Sequence, residues 1–339
     1  MKTQLILKKY LIINILTLLK VITLTIVLTS CSKEETLEEN PPISLNTFTE
    51  LTTINPKFPP RWRHKTVSFK GKIWVIGGET SSGYSNDIWN SNDGKEWNKV
   101  NPSGTHFSSR MDFGLTVFND KMWVIGGINE SGNRYNDVWS SSDGISWIEE
   151  TDSAAFTETS LHSLTVFNGK MWLIAGISGT KFSNDIWNST DGKTWNKISV
   201  NGIHFTKRYL HQTIVFNNKI FVIGGYDTSG IKNDVWSSTD GITWTKENST
   251  NTFTPRYYHN CLTINNKIYL IGGSTGNLLS ELWNSNNGNN WQNLTKSENY
   301  FTARRGQTAV IHNKYIYVIG GNLSPTINNL SNDVWKYNF

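Results

Sequence analysis

The chain has 339 residues, 17% of them charged, and fifteen Trp, enough length and apolar bulk for one large domain or two ordinary ones. That composition excludes wholesale disorder. The formal charge of +5 includes four lysines (Lys2, Lys8, Lys9, Lys20) and no acid within the first thirty residues, so the remainder carries only +1 and gives no case for nucleic acid as a partner.

Residues 1–30 combine a Lys-bearing start, an apolar run and small residues before Cys31. Lys20 interrupts the run and leaves 21–29 as its apolar heart, too short for a permanent membrane span. Leu28-Thr29-Ser30-Cys31 resembles the lipobox of bacterial lipoproteins. The resemblance implies a signal peptide over 1–30, lipidation of Cys31, and membrane attachment through several acyl chains, each buried CH₂ contributing about 0.8 kcal/mol. Ser32-Lys33-Glu34-Glu35 resembles the surface-export signal of certain Gram-negative lipoproteins, although a charged tether reads much the same. Residues 31–45, acidic and holding Pro41-Pro42, are expected to be a flexible tether. The expected location is therefore the bacterial outer membrane, with surface exposure if the export signal acts.

From residue 46 the chain repeats itself. Gly77-Gly78, Gly126-Gly127, Ala175-Gly176, Gly224-Gly225, Gly272-Gly273 and Gly320-Gly321 recur every 48 or 49 residues. Each doublet follows a run of strand length, such as Lys72-Ile73-Trp74-Val75-Ile76. A second signature follows each doublet: Asn86-Asp87-Ile88-Trp89, and its counterparts ending at Trp139, Trp187, Trp236, Trp283 and Trp335. Then comes Ser-x-Asp-Gly-x-x-Trp, as in Ser91 to Trp97, weakened in the fifth copy to Ser285-Asn286-Asn287-Gly288 with Trp291.

In phase, these signatures resemble the kelch repeat over about residues 46–339. The resemblance implies an all-β fold: a six-bladed β-propeller of four-stranded kelch-like blades, with repeats beginning near 61, 110, 159, 208, 256 and 304. A single blade cannot cover both of its faces, whereas stacking blades around an axis does so and leaves short edges. The Gly pairs suit positive φ or close approach, Asp-Gly suits hairpin turns, and the Trp residues offer wedges between blades. The sixth copy stops at Phe339 without its outer strand. Phe48 to Arg61 spans thirteen positions, as Trp97 to Arg110 does, so 46–54 is expected to supply that strand and close the last blade. In the first repeat, strands a to d are expected at 63–69, 72–78, 86–92 and 96–101.

Strand direction puts the d–a and b–c connections on one face. Those vary in length and chemistry, while the opposite turns (Lys70-Gly71, Asn119-Asp120, Asn168-Gly169) are short and uniform. Binding is expected on the variable face. Arg61, Arg110, Arg208, Arg256 and Arg304 open the inner strands, with Thr159 in the third repeat. They could form a cationic ring for an anion, or ion pairs with Asp87, Asp137, Asp234, Glu281 and Asp333 within each blade. The next two positions differ from repeat to repeat. They supply the candidate ligand-binding residues Trp62, Arg63, Asp112, Tyr209, Tyr257, Tyr258 and Arg305, joined from b–c loops by Glu79, Glu130 and Arg134. Trp and Tyr faces with arginines suit sugar stacking or anionic recognition.

His64, His162, His211 and His259 share one repeat position. Zinc needs its ligands about 2.0–2.1 Å from one ion, which separate blades do not allow, so hydrogen-bonded histidines inside the blades are expected. Cys261 reads as a buried free thiol. Neither metal nor cofactor is implied, and no Walker loop, dinucleotide fingerprint or nucleophile elbow is present. The leading expectation is a monomeric, membrane-anchored module binding a glycan, peptide or protein. An alternative resembles sialic-acid mutarotases, which have six kelch blades; Glu79, Glu130, Asp112 and His162 would be its titratable candidates. A purely structural scaffold is the third reading.

Overall fold

The computed structural model describes residues 46–54, 56–248, 252–295, 300–326 and 328–339; the expected signal peptide, the lipidation candidate Cys31 and the expected tether lie outside them. Every regular element among the described residues is a β-strand. The first repeat shows the pattern. Lys65–Phe69, Lys72–Thr80, Gly83–Ser91 and Asn98–Val100 form an antiparallel meander, with Val67 opposite Trp74, Val75 opposite Trp89, and Trp89 opposite Lys99.

The expected strand limits shift for physical reasons. Gly78 does not stop strand b: the register shifts between Ile76 and Gly78, and pairing resumes to Thr80 opposite Gly83. A side chain at Gly78, whose φ is +91°, would put its Cβ 2.7 Å from the His64 backbone nitrogen, so glycine is required at this bulge. Strand a begins at Lys65 because Arg63 has φ 55° and breaks the extended run. Ahead of that break, Arg61–Trp62 pairs with Thr80 and Glu79, tying the d–a segment to the b–c hairpin on one face.

Repeats pack through aromatic residues. Phe69, Trp74 and Ile88 of the first repeat share a buried cluster with Phe113, Met122 and Trp139 of the second. A cluster of Ile73, Val75 and Trp97 with Tyr317, Ile319 and Val334 joins the first repeat to the sixth. The Asp-Gly turns complete these contacts. In the second repeat Ser141 Oγ accepts from the Gly144 N–H at 2.8 Å, and Asp143 Oδ1 accepts from Ile145 and Ser146. A Cβ on Gly144 would lie 2.3 Å from the Trp74 ring, so the turn glycine serves both hairpin geometry and the close approach of the neighbouring repeat. The weakened fifth turn keeps this geometry, with Asn287 Oδ1 in place of the aspartate oxygen.

The fold is thus an all-β propeller arrangement of kelch repeats. The inner strands Lys65–Phe69, Gly114–Phe118, Ser163–Phe167, Gln212–Phe216, Asn260–Ile264 and Thr308–His312 touch one another in that cyclic order. Thr47–Glu50 pairs antiparallel with Leu330–Asn338, placing Phe48 opposite Tyr337. Hydrogen bonding differs from the expectation of separate blades. Four sheets have the size of a single blade, two of four strands and two of five, while a fifth sheet of nine strands holds the second and third repeats together. The joint is Thr159–Ser160, where Thr159 pairs with both Tyr135 and Ser178.

Candidate functional site

The arginines that open the inner strands belong to the fold. Arg208 donates to both carboxylate oxygens of Asp234 at 2.7 and 2.8 Å and to the Gly224 carbonyl at 3.0 Å. Its guanidinium also lies over the Phe205 ring at 5.7–5.8 Å, as its counterparts do over their own Phe. Asp234 accepts a further bond from Trp236 Nε1 at 2.9 Å. Arg61, Arg110 and Arg304 repeat the arrangement with Asp87, Asp137 and Asp333, Arg256 donates to one oxygen of Glu281, and all five guanidiniums are buried. Burial pushes the Asp87, Asp234 and Asp333 carboxyls up, but the arginine hydrogen bonds override it and hold each below the usual range. Of the two readings open at the sequence level, the geometry selects the intra-blade ion pair.

The mouth of the central channel is built from a second repeating position. Arg63, Asp112, Leu161, Leu210, Tyr258 and Gly306 all have φ between 55° and 61°. Their backbones form a relay around the axis: Arg63 N–H donates to Gly306 O at 2.7 Å, Leu161 to Asp112 O at 2.9 Å, and Tyr258 to Leu210 O at 3.3 Å. Five of these residues are not glycine, and a left-handed conformation costs such residues roughly 1–2 kcal/mol each.

On this face the side chains divide into two sectors. One is an unbroken chain of ring contacts: Phe182–Tyr209 at 4.6 Å, Tyr209–Tyr226 at 5.6 Å, Tyr226–Tyr257 at 6.0 Å, Tyr257–Tyr258 at 5.6 Å and Tyr258–Trp62 at 5.9 Å. Arg63 and Arg305 lie over the Trp62 ring at 5.3 and 5.4 Å and end the arc in positive charge. Phe182, Tyr209, Tyr226, Tyr257 and Tyr258 are half-buried, whereas Trp62 is 9% exposed and forms the floor under the arginines. Burial raises the Tyr209 and Tyr258 phenols, which stay neutral donors.

The other sector is polar. Arg63 Nε donates to Asp112 Oδ1 at 2.8 Å and its guanidinium pairs with the second oxygen, so Asp112 is buried and neutralised. Tyr84 feels burial first, then Arg63, Glu79 and Glu130, which places both glutamates near one phenol. Glu79 also accepts from Asn328 Nδ2 at 3.1 Å, and Glu130 is exposed. Arg134 is less available than its sequence position implies. Its Nε donates to Ser160 Oγ at 2.9 Å and one amino group to Gly179 O at 2.8 Å, so it staples the third repeat to the second.

The four histidines are buried, and His64 Nε2 contacts Thr308 Oγ1 at 2.9 Å. His162, His211 and His259 are bonded instead to backbone at Ile125, Ile174 and Ile223, which offsets part of their burial. Burial above all holds them neutral, with His162 and His259 lowered to about 3. Cys261 is a buried free thiol pushed up by burial. Sequence reasoning overlooked Lys65, which faces the channel. Its signal was available: the equivalent positions are Gly114, Ser163, Gln212, Asn260 and Thr308, none charged.

The family model described as the KLHDC2/KLHL20/DRC7 Kelch-repeats domain matches residues 64–237 and 151–321. The chain belongs to this kelch-repeat family. Kelch propellers generally bind protein partners. Over 89 residues, 26% of its length, this kelch chain is 34% identical to the "Dynein alpha chain, flagellar outer arm" of Chlamydomonas reinhardtii, and the match spans only 2% of that relative.

Proposed function

We propose that this chain is a six-bladed, lipid-anchored kelch module that captures a protein or peptide partner on the face bearing the aromatic arc. The observation that carries the reading is the continuous ring contact from Phe182 to Trp62, ended by Arg63 and Arg305. Trp, Tyr and Arg dominate interface hot spots because they bury much area for little lost rotamer freedom. The blade count is supported by the cyclic contact of the inner strands, and the anchor by the sequence ending at Cys31.

A glycan is the second reading, favoured by the half-buried phenol rings of Tyr209, Tyr226 and Tyr257, which suit stacking on a sugar face. A mutarotase-like activity has less support. Asp112 is tied to Arg63 and His162 is neutral, which leaves Glu79 and Glu130 near Tyr84 to supply acid and base.

The test is affinity capture from outer-membrane extracts and a glycan array, each run with the wild type and with a Tyr209→Ala/Tyr257→Ala pair. The expected result is a specific protein partner whose affinity falls at least about thirtyfold in the double variant, on the order of 2 kcal/mol or more for hot-spot positions. Partner binding that survives the double variant unchanged would overturn the placement on the arc. Array hits lost in the variant, without a protein partner, would move the reading to glycans. Metabolic labelling with a fatty-acid probe should mark the wild type and not Cys31→Ser.

A further inference from the structure

The central channel holds a charge, that of Lys65, which no group among the described residues answers. Lys65 opens the inner strand of the first repeat and, with Thr66, His162, Ser163, Gln212 and Asn260, lines a cavity of about 120 Å³. That space shares Lys65, His162, Gln212, Asn260 and Thr308 with a narrower one of about 50 Å³ at the channel mouth. Lys65 is enclosed by protein yet keeps accessible surface, because what it faces is the cavity. The carboxylate at the mouth, Asp112, is engaged by Arg63, and among the described residues none pairs with Lys65. Burial first, and Arg63 second, lower its ammonium to about 8, so it is still mostly charged at neutral pH.

The walls carry unmet polar groups. Thr66 Oγ1 and Asn260 Oδ1 lack hydrogen-bond partners. The Thr66 hydroxyl and the Gln212 and Asn260 amide groups offer donors to this space. A buried cation ringed by neutral donors is unfavourable alone and favourable around a negative charge.

We propose that the channel binds a small monovalent anion, a halide or a short carboxylate, against Lys65. The site is independent of the aromatic arc, and its failure would leave the rim reading untouched.

The test melts the full-length protein in sodium gluconate, a bulky and weakly binding reference anion, and replaces it stepwise with bromide or acetate at constant ionic strength. The wild type should show a saturable rise in Tm of about 2–4 °C. Lys65→Met should show none, and should melt higher than the wild type in gluconate because the unanswered charge is gone. A bromide-soaked crystal should give an anomalous peak in the channel beside Lys65 Nζ. A rise that never saturates, a rise equally present in Lys65→Met, or bromide found only outside the channel would each overturn the proposal. If Lys65→Met does not fold, the bromide position in the wild type decides.

Discussion

The third repeat and its five counterparts solve one packing problem in two ways. In the others, a buried arginine just ahead of the inner strand clamps a carboxylate within the third strand, and that carboxylate also accepts the indole N–H two residues on. In the third, Thr159 stands where the arginine would be. Asp185 is left 40% exposed against 10–17% for the clamped aspartates, and is reached from outside by Lys197 at 2.9 Å. Thr159 pairs with Tyr135 of the second repeat and Ser178 of its own and merges the two repeats into one sheet, whereas Arg110, Arg256 and Arg304 make inter-repeat backbone bonds in addition to their clamps. The clamp is therefore a device within the single blade, and the third repeat keeps the backbone contact to its neighbour without it.

The largest test of that contrast is acid. His64, His162, His211 and His259 have folded pKa values below the ordinary 6.5, because burial disfavours the charged ring. Groups depressed in this way contribute stability above pH 6.5 that is lost as pH falls toward the folded values, about 3 for His162 and His259. Each histidine adds up to about 1.4 kcal/mol per pH unit in that window, and the clamped carboxylates add to the loss only below about pH 4. Urea midpoints at pH 7.5, 6 and 5 should fall steeply. The second and sixth repeats carry Phe113 and Gln307 at this position, and Gln307 Nε2 donates to Ile271 O at 3.2 Å. His162→Gln should thus remove one histidine's share of the slope without unfolding the protein. An unchanged slope would show that His162 does not titrate as described.

Next in size is removal of the clamp. Arg208→Ala leaves Asp234 without its buried cation and should cost about 3–5 kcal/mol in denaturant unfolding. Thr159→Ala should cost about 1 kcal/mol, the scale of a small polar truncation. Equal losses would mean that the two solutions are not distinct. Smaller still is the reverse exchange. Thr159→Arg should gain about 1 kcal/mol by reaching Asp185, and Asp185→Ala should cancel the gain in a double-mutant cycle.

The sequence made the clamp readable because both of its partners repeat in phase, and it made the exception readable as Thr159. It did not reveal that the third repeat would share strands with the second, since Thr159-Ser160 carries no signal for pairing on two sides. The doublet glycines were legible as special backbone, but Gly78 reads as a strand end and is a bulge that pairing crosses. The left-handed ring at the channel mouth was hidden because Arg, Asp, Leu and Tyr do not announce positive φ. Of the site candidates, the tyrosines were found because they break the repeat. Arg134 misled because a rim arginine and an inter-repeat staple look alike until Ser160 and Gly179 are placed beside it.

The pairing of Thr47–Glu50 with Leu330–Asn338 has a topological consequence. Asn46 N–H donates to Asn338 O at 2.7 Å, so the two chain ends of the ring meet across a single hydrogen bond. Where the polypeptide is cut is then a choice rather than a requirement. A permuted chain that joins Phe339 to Asn46 through a short linker and opens at the exposed Gly202-Ile203 segment should fold to the same ring, with its ends on another blade.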